Sequence, residues 1–151
     1  MRHMSRRSAL ALGAAGAALS LLGFAKTAQA TPETAAADVA KFAGGKTPVA
    51  GKISIELPEI AENGNTVPLA ISVESPMTED DYVTDVLVLA DGNPNPGVAT
   101  FHFTPLSGKA DASTRIRLAT TQNIVVTAKT SKGAVYTASK LVKVTIGGCG
   151  G

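Results

Sequence analysis

From Lys52 to Ile146 the chain consists of short apolar runs separated by turn residues, and this punctuation decides what it can fold into. KISIEL (52–57) alternates, with Ile53, Ile55 and Leu57 on one face, and Pro58 closes it. The turn signal ENGN (62–65) leads to VPLAISVES (67–75), and Pro76 with the acidic TEDD (78–81) makes the next break. TDVLVLAD (84–91) is a more continuous apolar run, as expected of a central strand covered on both sides. GNPNPG (92–97) is dense turn chemistry, followed by VATFHF (98–103) and a loop around Pro105 and Gly108. STRIRLA (113–119), NIVVTAK (123–129), AVYTAS (134–139) and KLVKVTI (140–146) complete the series. Seven or eight short strands with no long helical pattern between them predict an all-β fold, an antiparallel β-sandwich of immunoglobulin-like type. With one cysteine and no tryptophan, it lacks the disulfide and core Trp of antibody domains.

One helix is expected ahead of the strands. Thr31 is placed as an N-cap, Pro32 at the first helical position and Glu33 in the first turn, and Gly44-Gly45 stops the Ala-rich segment. Residues 1–30 read as an export signal. Arg2, Arg6 and Arg7 precede a small-residue apolar stretch, and Ala28-Gln29-Ala30 is an A-x-A cleavage site. Ser5-Arg6-Arg7-Ser8 is similar to a twin-arginine motif, with an ordinary secretory signal as the alternative. Either Met1 or Met4 serves as the start. The expected organisation is a signal at 1–30, a sandwich domain with its helix at 31–146, and a flexible arm GGCGG at 147–151. Export predicts a periplasmic protein.

The basic excess of the whole chain belongs to the signal. After Ala30 there are ten basic and twelve acidic residues, and no basic cluster carries interleaved aromatics, which argues against nucleic-acid binding. Residues 31–100 hold three basic and eleven acidic groups, whereas 101–151 hold seven basic and one acidic. Two readings stand: opposite charges meeting across one domain, or a positive surface beside the C-terminal arm.

Conventional catalysis is poorly supplied. His102 is the one histidine after the signal, and the strand period points it away from Phe101 and Phe103, toward solvent or a sheet face. One His and one Cys do not make a metal site. AGGKT (43–47) has the end of a phosphate-binding loop, but Ala40 stands where the first glycine belongs and Pro48 follows where a helix begins. TEDD is read as a solvated turn rather than a cation site, and Arg115 and Arg117 as either a solvated strand face or a contact for an anionic partner. No cofactor is expected.

Cys149 remains, the single cysteine, flanked by Gly147, Gly148, Gly150 and Gly151. An exported domain with one cysteine has no internal disulfide, so the thiol pairs with another chain or stays reactive. Three residues past Ile146, it has about 10 Å of reach at ~3.3–3.6 Å per residue. Glycines on both sides make the arm thin and pliant, and the chain end is free to enter a narrow pocket. Nothing nearby in sequence preorganises the thiol or lowers its pKa. Such a thiol suits transport into other active sites better than catalysis at its own. An intermolecular disulfide and an incidental terminal thiol remain as alternatives.

VKVTIGGCGG (142–151), supported by NGNTVPLAISVESPM (63–77), NPNP (93–96), FHF (101–103), STRIRLATTQNI (113–124) and the twin-arginine signal, resembles the SoxY family. That family is the sulfur-carrier subunit of the periplasmic thiosulfate-oxidising (Sox) system, and the resemblance covers essentially the whole chain after the signal. It implies an immunoglobulin-like sandwich paired in a heterodimer with a second sandwich subunit, SoxZ. It also implies that Cys149 holds sulfur intermediates covalently and that the chain is not itself an enzyme. The partners implied are a haem cytochrome that joins thiosulfate to the thiol and a manganese thiosulfohydrolase that releases sulfate. A sulfane dehydrogenase that oxidises the remaining persulfide completes the set.

Overall fold

The computed structural model describes residues 31–148. The export segment assigned to 1–30, with its alternative starts, and Cys149, Gly150 and Gly151 lie outside the described residues. Helix α1 spans Pro32–Ala43. Nine strands follow: β1 Val49–Ala50, β2 Ile53–Glu56, β3 Ile60–Ala61, β4 Val67–Val73, β5 Val83–Ala90, β6 Gly97–His102, β7 Ala110–Ile116, β8 Gln122–Thr130 and β9 Val135–Val144. A short 3₁₀ turn, Pro105–Ser107, separates β6 from β7.

The strands form two sheets, as the sandwich expectation requires. The larger runs β1-β9-β8-β5-β6, with β3 also on β9, and the smaller runs β2-β4-β7. The long ladders are antiparallel, while the two-residue strands β1 and β3 pair with β9 in parallel, a detail too short to leave a periodicity in the sequence. AVYTAS and KLVKVTI join into one strand, because no turn residue separates Ser139 from Lys140 and the ladder to β8 continues through Ile124 opposite Lys140. That strand ends at Val144, two residues before the expected Ile146. Pro68 lies in the middle strand of the small sheet without breaking it, because β2 pairs only from Ala70 onward and Pro68 faces β7 alone.

Alternation places the core. Val67, Leu69, Ile71 and Val73 of β4 point inward against Val86 and Val88 of β5, Ile124 and Val126 of β8 and Val142 of β9. Leu118, in the loop between β7 and β8, plugs one end of this cluster and is fully buried. Leu89 is buried too but lies outside the inter-sheet cluster, on the side of β5 that α1 approaches. This double cover explains the unbroken apolar run of β5. Helix α1 is closed as its sequence predicts. Thr34 N–H donates to the Thr31 hydroxyl (3.4 Å), Thr31 N–H donates to the Thr34 hydroxyl (2.8 Å), and Gly44 turns out of the helix at φ 63°. Lys129 Nζ stands 4.5 Å from the Phe42 ring centre, tying the last turn to β8.

With no disulfide among the described residues, the apolar contact between the sheets carries the fold. Leu69→Ala, remote from the end of β9, should therefore lower the unfolding free energy by about 2–5 kcal/mol. Urea denaturation is the measurement, and a loss below about 0.5 kcal/mol would show that β4 is not central to the core.

Candidate functional site

The last strand does not let go of the domain where β9 ends. Lys143 N–H donates to the Glu59 carbonyl (2.9 Å), and Thr145 N–H to the Ala61 carbonyl (3.1 Å). The Thr145 hydroxyl donates to the Glu62 carbonyl (3.0 Å). On the other side, Val144 N–H donates to the Thr121 hydroxyl (2.9 Å). The Ile146 carbonyl then accepts from Gly64 N–H (2.8 Å), and Gly148 N–H donates to the Leu118 carbonyl (2.9 Å). Leu118 N–H in turn donates to the Gly64 carbonyl (2.8 Å), so the two gripping loops are bonded to each other. Gly148 is buried.

Gly147 and Gly148 are the two residues of the expected 147–151 arm that lie within the described residues. Gly147 and Gly148 belong to the clamp, held between the 59–65 loop and the 117–122 loop. Their lack of a side chain serves close approach rather than mobility. A β-carbon on Gly147 would collide with the Ala119 carbonyl, and one on Gly64 with the Leu118 carbonyl. Gly64 was legible only as part of the ENGN turn, which Asn63 shapes by accepting from Asn65 N–H (2.9 Å). Its role in the clamp depends on a partner 54 residues away and has no local signature. Cys149 is the residue after Gly148. The described chain thus ends on a residue bonded to the domain.

The other residues singled out lie elsewhere. His102 is exposed on the outer sheet face, with Nδ1 2.6 Å from Asp85 Oδ1. Asp85 lies toward the far end of β5 from Asp91, which neighbours the clamp, and six residues of strand separate them by roughly 20 Å. Asp81 of TEDD pairs with Lys132 (3.0 Å), and the turn is closed by Asp81 N–H donating to the Thr78 carbonyl (3.2 Å). Among the described residues no group of three or more His, Cys, Asp or Glu side chains is gathered. In AGGKT, Gly44 ends a helix rather than starting one, and Lys46 donates to the Gly133 carbonyl. Arg115 and Arg117 are exposed. Among the described residues 101–148, Lys132 is the one lysine or arginine paired with a carboxylate, so most of that half's positive charge faces solvent. Ile60, Leu141 and Ile146 are exposed apolar residues on or beside the strands that lead into the clamp, and Lys140 and Lys143 border a crevice with Ile60 and Leu141.

Comparison with known proteins gives a family and a structural relative. The family model described as "Sulfur oxidation protein SoxY" matches residues 39–149. The sulfur carrier protein SoxY from Chlorobium limicola f thiosulfatophilum is 37% identical, with a TM-score of 0.59, over 74% of this chain and 94% of that one. A superoxide reductase (neelaredoxin) from Ignicoccus hospitalis superposes with a TM-score of 0.55 at 20% identity, over 81% of this chain and 98% of that one. A putative superoxide reductase from Thermotoga maritima gives 0.52 at 17% identity, over 65% of this chain and 87% of that one. These two likenesses concern the sandwich alone. No curated protein sequence gives a match.

The clamp makes a contrast between glycines testable. Gly64→Ala forces two backbones apart and should cost about 1–3 kcal/mol, the usual range for overpacking. Gly97→Ala meets nothing closer than Asn95 Oδ1 at 3.7 Å and should change stability by less than about 0.5 kcal/mol. Thermal unfolding of both variants is the check, and equal stabilities would show that the 59–65 loop is not pressed against the chain's final segment.

Proposed function

Because the chain belongs to the SoxY family, we propose that it is a covalent sulfur carrier and that Cys149 is the attachment point. Three observations support this reading. The family match runs through residue 149. Cys149 is the one thiol in the sequence. The residue before it is fixed to the domain, which presents whatever follows at one defined end of the sandwich. A carrier needs a nucleophile with no committed partner; among the described residues His102 is bonded to Asp85 and no group of three or more His, Cys, Asp or Glu side chains is gathered.

The chemistry follows from the thiol and thiosulfate. Loading joins the cysteine sulfur to the sulfane sulfur of thiosulfate, forming an S–S bond. It releases the thiol proton and two electrons, which a haem cytochrome partner accepts. The product is a cysteine S-thiosulfonate. Hydrolysis breaks the bond between the sulfane and sulfonate sulfurs. Water supplies the fourth oxygen of sulfate, one proton is released, and the other stays on the persulfide. A manganese thiosulfohydrolase is the partner for that step, and a sulfane dehydrogenase oxidises the persulfide. The carrier contributes no acid, base or metal. A SoxZ-like sandwich subunit completes the heterodimer, and export of the folded chain by the twin-arginine route places it in the periplasm.

Intact mass of the protein from cells given thiosulfate should reveal sulfane-sulfur and thiosulfate adducts. Cys149→Ser should remove all of them while leaving the melting temperature unchanged. Adducts that survive the substitution, or a cysteine found only as a permanent disulfide to another chain, would falsify the carrier reading.

A further inference from the structure

Asn93 and Gln122 are buried, and with Thr127 they are the only buried polar side chains among the described residues. Burying two carboxamides is unfavourable unless their donors and acceptors are met. Here they are met by the backbone of Arg117, Ala119 and Thr120 in the clamp, by Gly92 N–H and by each other. The peptide unit joining Arg117 to Leu118 has its carbonyl accepting from Asn93 Nδ2 (2.9 Å), while its N–H donates to the Gly64 carbonyl (2.8 Å). The next unit, Leu118 to Ala119, has its N–H donating to Asn93 Oδ1 (2.9 Å), while its carbonyl accepts from Gly148 N–H (2.9 Å). One carboxamide thus bonds the near ends of two successive peptide units whose far ends hold Gly64 and Gly148.

Gln122 fixes which way that carboxamide faces. Its Nε2 donates to Asn93 Oδ1 (2.8 Å) and to the Thr120 carbonyl (3.0 Å), and its Oε1 accepts from Gly92 N–H (2.8 Å). Asn93 Oδ1 therefore receives two donors, and turning the amide over would set its NH₂ against both. Serial hydrogen bonds of this kind polarise and strengthen one another when shielded from water. The chain runs from Gln122 through Asn93 and the Leu118 peptides to Gly148, the residue before Cys149.

We propose that Asn93, oriented by Gln122, is a positioning residue for the carrier thiol. It sets the two peptide planes that hold Gly148 and so fixes the point from which Cys149 is presented to a partner. This rests on the carrier reading above. Asn93 is proposed to act through the Leu118 peptides to which its carboxamide is bonded. Holding the departure point still removes an ordering cost from each docking event.

The test combines amide hydrogen exchange by NMR with loading of Cys149 from thiosulfate by the haem cytochrome partner, followed by intact mass. In Asn93→Ala, exchange at the Gly148 and Leu118 N–H groups should accelerate at least tenfold relative to Val86 and Val126. The apparent KM for the carrier should rise several-fold with kcat held within about twofold. Gln122→Met, which keeps the volume and both Asn93 backbone bonds, should move both readouts the same way by less. It carries the test if the alanine variant does not fold. Uniform acceleration at all amides, an unchanged Gly148, or a loosened Gly148 with unchanged KM each overturn the proposal. Failure of the unsubstituted protein to load at all defeats the carrier reading instead, and the exchange data then decide the clamp on their own.

Discussion

Leu118 has little freedom to move, and the arrangement at the end of the sandwich depends on that. Its side chain is fully buried between the sheets. Both of its flanking peptide units are hydrogen-bonded at each end, to Asn93 on one side and to Gly64 and Gly148 on the other. Apolar burial and backbone bonding act on the same residue, so shifting the loop would open the core and strand several polar groups at once. A chain segment bonded to such a residue inherits its rigidity. That is how Gly148, in a sequence that reads as loose, becomes part of the folded domain.

The sandwich was legible because its signals are local. The alternation of Val67, Leu69, Ile71 and Val73 names the inward face without knowledge of the partner sheet. Thr31, Pro32 and Gly44 announce both ends of the one helix described. The continuous run of β5 correctly implies cover on both faces. The clamp was not legible, because each of its parts has an adequate local explanation: Gly64 as a turn residue, Asn93 as loop chemistry, Gly147 and Gly148 as a spacer. Only the pairing of segments far apart in sequence shows that glycine stands there so that two backbones can touch. The same holds for β1 and β3, whose two-residue pairings with β9 are too short to generate a period.

The site is defined as much by what surrounds it as by what it contains. His102, the Asp81 turn and the AGGKT segment each have a structural occupation that removes them from chemistry. His102 faces Asp85 at the opposite end of the sheet, Asp81 pairs with Lys132, and Gly44 ends a helix. What lies near the clamp is backbone, two buried amides, exposed Ile60, Leu141 and Ile146, and Lys140 and Lys143, neither of which forms an ion pair among the described residues. Such surroundings can hold and present a reactive atom without acting on it. They fit a division of labour in which the chemistry belongs to the enzymes of the system.

Anchoring Gly148 also changes the statistics of encounter. For a tethered group, local concentration falls roughly as the −3/2 power of tether length, so a group borne just after Gly148 would be concentrated near that end of the sandwich several-fold over one tethered from Ile146. On the proposed carrier reading that gain would narrow choice, because a catalyst would be served only if its opening came to rest against the clamp loops that hold Gly148. Selectivity among visiting enzymes would then be set by the shape of the rim they must meet, before any covalent contact is made.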